Sequence, residues 1–194
     1  MELQKRVFST FRSLAHTPTV THSIDTQGHP PINQPPYREG PHQQELIKTN
    51  IDAMLKHKVI RPSNSPWASP VVLVNKLDGG IRFCVDYKKL NAITRKDSYP
   101  LPRIDDTLDA LFGMKYFSTL DLASGYWQVE LTEKDKEKTA FITREGLFEF
   151  NVMPFGLTNA LATFQRLMDL VLAGLKWHNC LVYLDDIIIF SVTF

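Results

Sequence analysis

Eleven of the chain's 12 prolines lie before Arg103, and the one that follows is Pro154. Proline lacks a backbone N–H and biases its predecessor away from the α region, so this partition sets where helices can form. From His22 to Pro41, the pairs Pro30-Pro31, Pro35-Pro36 and Gly40-Pro41 exclude a long helix and predict an extended arm laid across the body. Past Pro41, Leu46, Ile47, Ile51, Met54 and Leu55 recur at helical spacing. Lys56 and Lys58 follow where the macrodipole favours cations, which predicts one amphipathic helix over about 43–58. Two β-rich runs, Pro70–Asn75 and Ile81–Val85, flank a Gly-containing turn at 76–80 and predict a hairpin with basic Lys76 and Arg82.

The proline-poor second half alternates helix and strand irregularly. Ile104, Leu108, Leu111 and Phe112 mark a short helix stopped by Gly113. Strands are expected at Tyr116–Asp121 and near Tyr126–Leu131, Thr139–Thr143 and Phe148–Val152. Thr158 or Asn159 is placed to cap a long helix with Leu161, Phe164, Leu167, Met168, Val171, Leu172 and Leu175 on a broad apolar face. Cys180–Tyr183 and Ile187–Phe190 then form an apolar hairpin carrying Asp185 and Asp186 at its turn.

With 194 residues, 43% of them hydrophobic and 22% charged, the chain is expected to form one domain or two small lobes. It contains no apolar run of about 18 residues, and Met1–Arg6 lacks a signal-peptide core, so neither secretion nor membrane contact is expected. Cys84 and Cys180 stand far apart without metal-ligand spacing and are expected to be buried, inert thiols. Residues 1–97 hold 14 Lys+Arg against 8 Asp+Glu, while 98–194 hold 8 against 13. A basic half suits phosphate backbones and an acidic half suits cations.

Turn chemistry alone accounts for an isolated Asp-Asp between strands. Asp121, however, ends a second apolar strand, and if the strands are neighbours then Asp121, Asp185 and Asp186 converge. Three such carboxylates repel unless cations neutralise them, and oxygen-only ligands point to Mg²⁺ or Mn²⁺. Two ions about 4 Å apart suit in-line phosphoryl displacement, a chemistry shared by polymerases and nucleases.

Tyr183–Asp186 (YLDD) looks like the YxDD signature of reverse transcriptases, and Phe117–Tyr126 (FSTLDLASGY) resembles that family's first aspartate motif. Met153–Ala160 (MPFGLTNA) with Phe164-Gln165 resembles the motif between them. Pro62–Pro70 (PSNSPWASP), Arg82–Tyr87 (RFCVDY), Leu90-Asn91 and Tyr99–Ile104 (YPLPRI) are similar to the fingers and the fingers–palm connection of Ty3/gypsy-type long-terminal-repeat retrotransposons. The resemblance implies an α+β right-hand polymerase, with basic fingers over an antiparallel palm sheet packed on helices. In that reading, 1–41 is the arm, 42–104 the first part of the fingers with the connection, and 105–194 the palm with interleaved fingers strands. The thumb is expected to be absent.

The resemblance also assigns roles. Asp121 and Asp185 become the main ligands of two Mg²⁺ ions, with Mn²⁺ as a substitute, and Asp186 completes the acidic cluster. Lys76 and Arg82 contact the incoming dNTP, Tyr126 blocks a ribose 2′-hydroxyl, Phe155 and Gly156 border nucleotide and template, and Tyr183 and Leu184 touch the primer end. An RNA or DNA template with its primer is the implied partner, with thumb, connection and ribonuclease H regions in the full-length parent. The implied compartment is intracellular, a cytoplasmic particle where the parent element is active. One departure is Leu161, where the family commonly has proline. The competing expectation is a catalytically dead remnant that only binds nucleic acid or protein.

Overall fold

The computed structural model describes residues 17–75, 81–122, 125–183 and 186–193, with backbone alone at 17, 18 and 121. Among the described residues, ten strands and five α-helices follow one another: β1 Thr17–His22, α1 Pro41–Lys56, β2 Ile60–Pro62, β3 Ser69–Asn75, β4 Ile81–Val85, α2 Lys88–Ile93, α3 Ile104–Leu111, β5 Tyr116–Asp121, β6 Val129–Leu131, α4 Glu133–Lys136, β7 Phe141–Thr143, β8 Gly146–Phe150, α5 Ala160–Val171, β9 Cys180–Tyr183 and β10 Asp186–Ser191. No helix among the described residues is long and apolar enough to cross a membrane.

The strands assemble into a five-stranded sheet ordered β2-β8-β7-β3-β4, a three-stranded sheet ordered β5-β10-β9, and a two-stranded pair β1-β6. In the large sheet only β3 and β7 run parallel, so chain from 141–150 is inserted beside chain from 60–85. Phe141 is fully buried in it, with ring centroids of Phe83, Phe148 and Phe150 at 5.6, 5.8 and 5.3 Å. Helix α1 adds Ile47, Ile51 and Met54 to this core. It begins two residues before the expected position because Pro41 occupies its first turn, where a missing N–H costs nothing. The expected β3–β4 hairpin forms, with Asn75 opposite Ile81.

The arm lies across the body in its described part. Ala68 N–H donates to Ile32 O and Gln34 N–H to Ala68 O, both at 2.9 Å, and the Tyr37 hydroxyl reaches Asp86. Buried Asp135 accepts the Ile24 N–H at 3.1 Å, the Thr132 hydroxyl and Lys138 Nζ at 2.7 Å. Burial would raise its pKa, yet these donors hold the carboxyl below its usual range. A second buried carboxylate, Glu149, sits opposite Arg61 in the β2–β8 ladder and accepts its Nε at 2.7 Å.

Several sequence expectations need correction. Gly125–Gln128 is a 3-10 turn and not the start of a strand, so only Val129–Leu131 is extended. Thr139 closes another 3-10 turn before β7, and β8 starts at Gly146 and stops at Phe150. On α5, Phe164, Leu167 and Met168 are buried, but Leu161 and Val171 are exposed and Leu175 lies beyond the helix end. Thr163 and Gln165 are buried instead, because the helix packs on β1, β9 and the 3-10 turn together. Asn159 occupies the expected N-cap position, but its side chain makes no capping hydrogen bond. Cys180 is buried, whereas Cys84 is half-buried.

His22 on β1 shows how the arm is fastened to α5. Its ring is buried, with Nδ1 2.8 Å from Thr163 Oγ1. Burial pushes its pKa down to about 4 against the opposing pull of Asp135 and Asp97. Between that value and the unfolded value of 6.5, the unfolded chain binds more protons. Stability is therefore complete above about pH 6.5 and falls toward pH 4, by about 3 kcal/mol for a shift of this size. Urea titrations at pH 7.5 and 5 should show that loss, and His22→Asn should make the two pH values agree more closely.

Candidate active site

Strands β9 and β10 are apolar enough to anchor themselves: Cys180, Leu181, Val182, Ile187 and Phe190 are buried. What they carry is set by register. Asp186 opens β10 and pairs with Tyr183, the last residue of β9, on one side, and with Asp121, the last residue of β5, on the other. Partners across an antiparallel ladder have Cα atoms about 4.5–5.5 Å apart, so three of the positions singled out in the sequence meet at one end of the sheet. The Asp186 side chain is exposed there. Leu184, Asp185 and Lys76 lie outside the described residues, as does the side chain of Asp121. Among the described side chains this sheet end offers the Asp186 carboxylate, an oxygen donor of the kind that hard divalent cations take.

The turn after β5 delivers Tyr126. Gly125 precedes it for lack of space, since an added Cβ would lie 2.9 Å from the Phe164 ring. Tyr126 is buried, its ring packed edge-on against Phe155 at 4.8 Å and Phe164 at 5.0 Å. Phe155 itself is half exposed. Arg82 stands exposed on β4, opposite Val74, and so belongs to the other sheet.

Gly156 takes φ +91°, a conformation that L side chains rarely adopt. Its loop is held by a residue whose role no spacing revealed. Asn91 Nδ2 donates to Gly156 O at 2.7 Å, and Asn91 Oδ1 accepts the Thr158 N–H at 2.9 Å. Sequence reading also missed Tyr99, Gln165 and Asp169, which are joined by hydrogen bonds at the far end of α5. The Leu90-Asn91 and Phe164-Gln165 pairs and the Tyr99–Ile104 stretch offered a signal, and Asp169 offered none.

A five-stranded sheet with an inserted hairpin thus stands with a three-stranded sheet whose end pairs Asp186 with Asp121. Residues 74–193 match the family described as reverse transcriptase (RNA-dependent DNA polymerase), and the chain belongs to it. It is 43% identical over 185 residues to the retrovirus-related Pol polyprotein from transposon 297 of Drosophila melanogaster, covering 93% of this chain and 18% of that protein. To the Pol polyprotein from transposon gypsy of the same organism it is 40% identical over 195 residues, covering 97% and 19%. The chain thus spans about a fifth of the length of these relatives. Its fold also matches the foamy viral protease-reverse transcriptase solved in complex with an RNA/DNA hybrid, with TM-score 0.87, 25% identity, and coverage of 99% of this chain and 26% of that one. The right-hand α+β expectation and the gypsy-type resemblance both agree with these matches.

Removing the Asn91 amide frees both ends of the Gly156 loop. Two hydrogen bonds at about 0.5–1.5 kcal/mol each predict that Asn91→Ala costs about 1–3 kcal/mol, read as a lower urea midpoint.

Proposed function

We propose that the chain carries RNA-directed DNA polymerase chemistry, adding deoxynucleotides to a primer 3′-hydroxyl on an RNA or DNA template. The register that pairs Asp186 with Asp121 at the end of β10 carries this reading, in a chain of the reverse transcriptase family. Asp121, Asp185 and Asp186 would hold two Mg²⁺ ions, or Mn²⁺. Such a pair, when bound, supplies charge to activate the attacking hydroxyl and to stabilise the departing pyrophosphate. Lys76 and Arg82 bind the triphosphate, Tyr183 and Leu184 place the primer end, and Phe155 and Gly156 border nucleotide and template.

The division of labour follows the sheets. The arm covers 1–41, the five-stranded sheet forms the fingers from 42–104 with the interleaved strands β7 and β8, and β5, β10 and β9 belong to the palm within 105–194. The parent polyprotein would supply thumb, connection and ribonuclease H regions to grip the duplex, in keeping with the greater length of the Pol relatives.

Primer extension on poly(rA)/oligo(dT) with Mg²⁺ tests the reading. Asp186→Asn should lower incorporation at least about 100-fold, as loss of a transition-state electrostatic contact does, without changing the fold seen by circular dichroism. Equal incorporation by the variant would remove the acidic cluster from the chemistry.

Tyr126 selects the sugar by shape in this scheme. Because its ring is also packed between Phe155 and Phe164, Tyr126→Ala costs about 3 kcal/mol or more in stability as a cavity opens. The informative quantity is therefore the ratio of ribonucleotide to deoxyribonucleotide incorporation, which should rise about tenfold or more if the ring excludes a 2′-hydroxyl. An unchanged ratio would leave Tyr126 as a packing residue alone.

A further inference from the structure

Asp169, near the C-terminal end of α5, gathers three donors onto one carboxylate. Oδ1 accepts Lys176 Nζ at 2.6 Å and Gln165 Nε2 at 2.9 Å, while Oδ2 accepts the Tyr99 hydroxyl at 2.8 Å. Only the amide NH2 of Gln165 can donate to a carboxylate, so its Oε1 is turned away; that atom is buried without a hydrogen-bond partner among the described residues. Burial opposes ionisation of Asp169, yet the hydrogen bonds from Lys176, Tyr99 and Gln165 hold its carboxyl below the usual range.

The three donors come from separate parts of the chain. Tyr99 lies in the segment that leads through α3 to β5, the strand that ends in Asp121. The Arg166 guanidinium covers the Tyr99 ring at 4.5 Å and donates to Asp97 at 2.9 Å. Asn159 closes the other end, accepting the Asp97 N–H at 3.0 Å and donating to Arg95 O at 2.8 Å. Segment 95–99 is thus fastened along α5 from its start to its last turn. Lys176 lies in the turn that becomes β9: it bridges Cys180, and the next residue, Trp177, donates its N–H to Cys180 O at 2.9 Å. One carboxylate therefore joins the approach to Asp121's strand with the base of the hairpin that carries Asp186.

We propose that Asp169 is a positioning residue for that hairpin: its carboxylate clasps Lys176 to Tyr99 across α5 and so keeps Asp186 in line with Asp121. The consequence for catalysis rests on the polymerase reading above. The position of the hairpin does not.

The test uses the whole chain and three variants that each break one arm, Asp169→Asn, Lys176→Met and Tyr99→Phe. Amide hydrogen exchange at 181–183 and 187–189 should quicken about tenfold or more in every variant, while exchange at 71–73 and 83–85 changes less than about twofold. Asp169→Glu, which keeps the charge and both acceptors, should recover part of the protection. In nucleotide addition, kcat should fall about tenfold with the dNTP KM held within about twofold, the pattern of a group that aligns reacting atoms without binding substrate. Exchange that rises equally in both sheets, or nowhere, would overturn the proposal, as would a change in KM with kcat intact. Selective exchange in a wild-type chain that adds no nucleotide would uphold the clasp and count against the polymerase reading.

Discussion

Side chains alternate across a strand with a period of two, so the ladder between β5 and β10 fixes several things at once. It places Asp186 opposite Asp121, sets Ile187 against Leu120 and Phe190 against Phe117, and decides which apolar residues are buried. Ile187 and Phe190 are buried although their spacing puts them on opposite faces of β10, each worth about 1.5–3 kcal/mol of burial. A slip of one residue would take both out of their sites and separate the carboxylate-bearing strand ends in the same stroke. The chemistry at the sheet end is in this sense enforced by the hydrophobic pattern beneath it. Polar residues alone could not hold such a register, because like charges directly opposite one another destabilise a sheet.

The two larger sheets divide the work differently. The five-stranded sheet has a conventional aromatic core around Phe141, and its β3–β4 hairpin projects Arg82 into solvent. The three-stranded sheet is thinner: Tyr116 and Phe117 on β5 and Ile189 on β10 are exposed. Polar ties compensate where apolar area is scarce. Asn91 holds the Gly156 loop, and Asp169, Arg166 and Asn159 bind segment 95–99 to α5. These groups form directional contacts, which specify geometry more sharply than buried area does.

The parts of this fold that the sequence declared are those set by local pattern. Strands β3, β4, β5, β9 and β10 announce themselves as β-branched and aromatic runs, and α3 stops at Leu111, two residues before Gly113, which adopts φ +78°. The parts it concealed depend on partners far along the chain. Gly125 and Tyr126 leave the extended conformation because Phe164 fills the space beside them, a contact that no window of ten residues contains. Thr163 and Gln165 look like a polar helix face, yet both are buried, Thr163 against the His22 ring and Gln165 with its amide NH2 on Asp169. The site divides in the same way: Asp121 and Asp186 were visible as charges beside apolar strands, whereas Asn91, Tyr99 and Asp169 became functional candidates only through hydrogen-bond geometry.

The attachment of the arm has a temporal side. His22 meets Thr163 across 141 residues, and β1 pairs with a strand that begins at Val129. At synthesis rates of about 5–20 residues per second, the arm emerges roughly 7–28 s before its partner on α5 exists. Its proline-rich, helix-poor composition suits that interval, since a chain that cannot settle into a local helix has less to undo before docking. The arm therefore cannot close before residues 129–163 exist, and it seals segments that are made long after it.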